Sequence, residues 1–73
     1  MTWEDDIISL IRYHWAVGEP FTLLDLYRFE PDLVALHPTN RYVRPRIRQT
    51  LQALRDKLLI EFVDNRGTYR RRI

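Results

Sequence analysis

Between residues 43 and 58 the apolar side chains Val43, Ile47, Leu51, Leu54 and Leu58 recur at steps of four, four, three and four. That spacing lines them along one stripe of an α-helix, and such a stripe needs cover. At about 100° per residue, the opposite side carries Arg41, Tyr42, Pro45, Arg48, Gln49, Gln52 and Asp56, with Arg46 and Arg55 on its flanks. A helix with an apolar back and a front rich in arginine and glutamine dictates much of the rest. The regular helix is expected to start near Val43 or Arg44, after a loose turn, because Pro45 inside an established helix would lose a backbone hydrogen bond.

The preceding residues supply two candidate covers. Thr2 can cap a first helix whose early acids Glu4, Asp5 and Asp6 suit the positive end of the helix dipole. Ile7, Leu10, Ile11 and His14 follow at helical spacing, and Gly18 and Pro20 stop that helix. Thr22 opens a second helix. Phe21 before it and Leu26 within it have the spacing of a hydrophobic staple. This helix is expected to end near Phe29, because Pro31 disfavours a helical Glu30. Residues 32–36 read as a short helical turn ended by His37-Pro38. Beyond the long helix, residues 60–63 and 68–72 read as two strands around a tight turn at 64–67, where Gly67 can take a positive φ. The 73 residues suffice for one domain, spanning 1–73. The expected class is α+β, mainly α: three helices and a C-terminal β-hairpin, the winged helix-turn-helix plan.

Charge is distributed unevenly. Residues 1–39 hold seven acids against Arg12 and Arg28, a net of −5. Residues 40–73 hold ten bases against Asp56, Glu61 and Asp64, a net of +7, which together give the chain's +2. Eleven of the twelve bases are arginine, whose planar fork fits phosphate oxygens or guanine edges in pairs. A one-sided arginine-rich half is the electrostatic footprint of a nucleic-acid binder. Arginine matches guanine and glutamine matches adenine in the major groove, and a recognition helix reads mainly through its N-terminal half. Arg44, nearer the buried side, points to a phosphate or to an acid of the first half. Arg66 at the wing tip and Arg70, Arg71 and Arg72 on the last strand suit backbone phosphates. The same residues fit plainer roles: a solvated helix face laced with salt bridges, and an edge strand protected by charge.

Other chemistry finds little footing. Without cysteine there is no disulfide and no thiolate-ligated zinc, and His14 and His37 are too few for a convincing metal site. No cofactor is expected. There is no Gly-rich phosphate loop, no nucleophile with a base, and no acid pair followed by a nuclease-type lysine. Trp3, Trp15, Phe21, Phe29 and Phe62 read as core or core margin, Tyr69 as inward on the hairpin, His14 as a core-edge histidine, and His37 as turn chemistry. No apolar run approaches the ~18 residues of a membrane span and no signal peptide is evident, so the chain is expected in a bacterial or archaeal cytoplasm.

The strings Phe21-Thr-Leu-x-Asp25-x-Tyr27-x-Phe29-Glu30, Pro38-x-Asn40, Ile47-Arg-Gln-x-Leu-Gln-x-Leu-Arg-Asp56, Glu61-Phe62 and Gly67-x-Tyr69 together resemble one known domain. It is the C-terminal winged helix of DpnI-type restriction endonucleases, the Dam-replacing family helix-turn-helix, and the likeness spans roughly residues 20–70. The sequence departs from that pattern at Pro45, and at Leu58-Leu59, where the family turns through glycine.

The resemblance implies a reader of DNA methylated on the adenine exocyclic amine, with Asn40, Arg41, Arg48, Gln49 and Gln52 facing the DNA. A nuclease domain is then expected elsewhere in the parent protein, and none of the catalysis in this chain. Tyr42, Pro45 or Ala53 is expected to provide an apolar contact for the methyl, and Gln49 or Gln52 the polar one. Arg44, Arg46, Arg55 and the wing arginines are assigned to phosphates. Two further readings stand beside this one: a regulator that reads unmodified DNA, and a winged helix whose arginines pair an acidic protein.

Overall fold

The computed structural model describes residues 2–64 and 66–73. Asn65, in the turn expected before the last strand, lies outside them. The elements run α1 (Trp3–His14), β1 (Pro20–Thr22), α2 (Leu23–Tyr27), α3 (Glu30–Leu36), α4 (Val43–Asp56), β2 (Ile60–Phe62) and β3 (Thr68–Arg71). The class is α+β and the winged helix-turn-helix plan is present, with one helix and one strand more than expected.

The local signals explain most element boundaries. Thr2 accepts a hydrogen bond from the Asp5 amide, satisfying one of the donors that every helix leaves open at its start. Thr22 and Asp25 form a complete capping box, each side chain bonding the other's backbone N–H. Phe21 and Leu26, the staple residues, are both buried. The second helix stops at Tyr27, two residues early, and α3 begins at Glu30 rather than Asp32. Pro31 lies in the first turn of α3, where its missing N–H costs nothing, so the bias against a helical Glu30 is overcome. Pro45 sits likewise in the first turn of α4, whose first backbone bond runs from Arg46 to Tyr42.

The core gathers Trp3, Ile7, Ile8 and Ile11 of α1 against Val43, Ile47, Leu51 and Leu54 of α4, closed by Phe21, Leu26, Leu33, Ile60 and Tyr69. The stripe read from the sequence is therefore buried up to Leu54. Leu58 departs from it at 62% exposure. It lies beyond the helix with φ at 63°, and the amides of Leu58 and Leu59 bond back to the carbonyls of Arg55 and Leu54. This is the Schellman arrangement, with leucine where glycine is usual.

The sheet has the order β1-β3-β2, both pairs antiparallel. Phe21 and Phe62 flank Tyr69 from either side in the register, and Tyr69 points into the core. The extra strand β1 therefore turns the expected hairpin into a three-stranded sheet. Phe62 is more exposed than expected, and His14 is exposed although its ring packs 4.4 Å from that of Phe29. No helix among the described residues is long and apolar enough to cross a membrane.

Candidate nucleic-acid interface

Packing α4 against α1 turns its polar side outward. Arg41, Tyr42, Pro45, Arg48, Gln49, Gln52 and Asp56 are all exposed, as is Arg46, while Ala53 and Arg55 are half-buried. Asn40 stands just before the helix, and its Oδ1 accepts the Tyr42 N–H at 2.9 Å. The first turn of α4 has neither an acid nor a side-chain cap. Its free amides and its arginines concentrate positive charge at one end of the outward face.

Two shallow clefts meet at Arg46 and Gln49. One, of about 370 Å³, is lined by Asn40, Tyr42, Pro45, Arg46 and Gln49. The other, of about 380 Å³, lies between α4 and the start of α1, where Ala53 and Thr50 face Trp3, Thr2 and Glu4. The structure thus separates Tyr42 and Pro45 from Ala53, and neither cleft is lined by Arg48 or Gln52.

The nine arginines from Arg41 onward divide into two groups. Arg44 reaches the Glu30 carboxylate at 3.2 Å and lies over the Tyr27 ring, an acid of the first half as its position suggested. Arg55 lies 4.4 Å over Phe62 and touches Asp56. Arg70 pairs with Glu61 across β2 and β3, and Arg71 donates to the carbonyls of Trp15 and Ile73. By contrast, Arg41, Arg46, Arg48, Arg66 and Arg72 are exposed and make no ion pair or side-chain hydrogen bond among the described residues. Of the four arginines on α4, Arg44 and Arg55 have acid partners, and Arg46 and Arg48 have none among the described residues.

The wing is held firmly. The Arg66 N–H donates to Asp64 Oδ1, which holds the Asp64 carboxyl below its usual range, and Thr68 adds to this. Burial pushes the Tyr69 hydroxyl above its usual range, helped by Tyr27 and opposed by Arg48 and Arg55. The Leu23 N–H bonds the Gly67 carbonyl, tying the loop back to α2.

Sequence reasoning missed a polar contact at the core. His37 does more than make a turn: its Nε2 meets the buried Asp6 carboxylate at 2.5 Å, and its ring stacks on Trp3. No local signal announces a partner 31 residues away. Among the described residues, no three metal-ligating side chains cluster.

The family model for the Dam-replacing HTH domain matches residues 1–71. The match takes in α1 as well as the stretch that carries the resemblance. With its arginine-bearing helix, three-stranded wing and match over essentially its whole length, the chain belongs to the Dam-replacing HTH domain family and is a DNA-binding helix-turn-helix.

Proposed function

We propose that this chain, acting as a single winged-helix unit, reads double-stranded DNA carrying N6-methyladenine. It would serve as the specificity domain of a modification-dependent restriction endonuclease whose nuclease domain lies elsewhere in the parent protein. The observation that carries this reading is the cleft at the start of α4. Tyr42 and Pro45 offer it apolar walls, and Asn40 and Gln49 offer polar groups within the same 370 Å³. An adenine methyl projects into the major groove as an apolar bump, and its amine and N7 suit an amide side chain. Arg41, Arg48 and Gln52, on the same outward face, are assigned to neighbouring base edges. Arg46, Arg66 and Arg72 are assigned to phosphates. Arg44, Arg55, Arg70 and Arg71 would reach phosphates only by sharing or leaving their present partners.

Burying one methyl is worth about 0.8 kcal/mol, or roughly a fourfold preference. Stronger discrimination requires two methyls, or an unmethylated amine left badly paired. The test is a titration at fixed moderate salt with one GATC duplex unmethylated, hemimethylated and fully methylated, beside a scrambled methylated control. The expected order of affinity is fully methylated, hemimethylated, unmethylated, with Gln49→Ala flattening it more than Gln52→Ala. Equal affinity for all four duplexes would reject methyl reading and leave a regulator-like DNA binder. Binding insensitive to salt would favour an acidic protein partner instead.

A further inference from the structure

Six residues connect α3 to α4, from His37 to Tyr42, and they include two that line the cleft. The side chains of Pro38, Thr39 and Arg41 are exposed and make no hydrogen bond among the described residues. His37 is the exception, with its side chain only 15% exposed. Trp3 and Asp6 lie three residues apart on α1, hence on one face of that helix. Trp3 holds the imidazole by its face, with centroids 4.1 Å apart and planes 14° from parallel. Asp6 holds it by its edge at 2.5 Å.

From His37 the contacts continue without a gap. Its carbonyl accepts the Asn40 N–H at 3.1 Å, Asn40 Oδ1 accepts the Tyr42 N–H, and the Tyr42 carbonyl accepts the first helical bond of α4 from Arg46. Among the described residues Asp6 is the one buried acid, at 7% exposure. A buried carboxylate is retained at a cost unless it is paired, so its partner is held in one place.

We infer that His37 is a positioning residue for base reading: gripped by Trp3 and Asp6 of α1, it fixes the turn that sets Asn40 and Tyr42 at the mouth of the cleft. This rests on the reading of that cleft as the methyl-adenine site. Binding groups held in place before contact spend less affinity on being ordered, so a slack turn weakens recognition without touching phosphate contacts.

The test compares His37→Ala with His37→Gln, whose amide places a donor near the position of Nε2 and keeps a planar group on Trp3. Ile60→Val and Ile60→Ala, in the core under β2, serve as controls that lower stability away from the turn. Amide hydrogen exchange is followed without DNA, and the methyl preference is measured on the same duplexes. His37→Ala should speed exchange at Asn40 and Tyr42 relative to Leu51, and reduce the methyl preference from about fourfold per methyl to near unity. Its salt dependence should stay that of the wild type. His37→Gln should restore most of both properties, and the Ile60 variants should leave both intact.

Wild-type exchange and preference in His37→Ala would overturn the inference, as would equal losses in the Ile60 variants. A wild-type chain with no methyl preference would reject the proposed function instead. His37 would then be judged on exchange and on affinity for unmethylated duplex: selective loosening with weaker binding, rescued by glutamine, upholds its positioning role, and unchanged values overturn it.

Discussion

At Leu58 the backbone turns through a φ of 63°, a conformation that crowds the Cβ of any L-residue and is usually assigned to glycine at a helix end. Its side chain is mostly exposed, so little burial offsets that strain. Leu58→Gly is therefore expected to stabilise the fold by about 1 kcal/mol, net of the glycine's extra freedom when unfolded. For a domain this size that is a rise in Tm of roughly 4–8 °C, read by thermal unfolding. An unchanged or lower Tm would mean that Leu58 makes a contact its exposure does not suggest. A second residue-scale outcome concerns Tyr69, whose hydroxyl titrates above its ordinary value of 10.0 because burial disfavours the phenolate. The stability linked to it is complete below that ordinary value and is lost as pH rises through the higher folded value. Tyr69→Phe should flatten this part of the alkaline stability profile, and an identical slope in both proteins would contradict the assignment.

The elements differ in how openly the sequence declares them. Helix α4 was legible in detail because Val43, Ile47, Leu51 and Leu54 keep one period over about three turns, which leaves little freedom. Both threonine caps were legible because capping is local chemistry. Strand β1 was not: three residues are too few for alternation to register, and Pro20-Phe-Thr is explained as well by the staple and cap it also forms. The division of the arginines was equally hidden, since Glu61 and Arg70 become partners only through the register of β2 against β3. That pair yields an element-scale prediction. Glu61→Gln removes the acid that holds Arg70 and leaves a basic strand facing solvent, with a stability change within about 1 kcal/mol. DNA affinity is expected to rise, and the slope of log K against log salt to steepen by up to about 0.9, the share of one additional phosphate contact. A variant that binds no tighter than wild type would place Arg70 away from the DNA.

For the molecule as a whole, acids gather in the first half of the chain and arginines in the second, and the fold joins the two halves at Arg44–Glu30 and Lys57–Glu4. Fold class and outward face could be read in advance because both follow from periodicity and charge. What joins them could not, because the pairing of Asp6 with His37 and the stacking of Arg55 on Phe62 are contacts between distant stretches. Those contacts also make the sheet a fixed part of the body. Strand β3 is hydrogen-bonded on both sides, its loop is tied to α2 through Gly67, and Phe62 lies under a side chain of α4. A wing built this way acts, on the proposed function, as a gauge: the distance from α4 to the wing is set before any duplex arrives. On the proposed function the duplex would then supply the adjustment, by bending or by changing its groove width, at an energy that depends on how readily its base steps deform. The consequence expected on that reading is selectivity among flanking sequences that no side chain touches, with pliable pyrimidine–purine steps favoured over stiff adenine tracts wherever the gauge and the relaxed helix disagree.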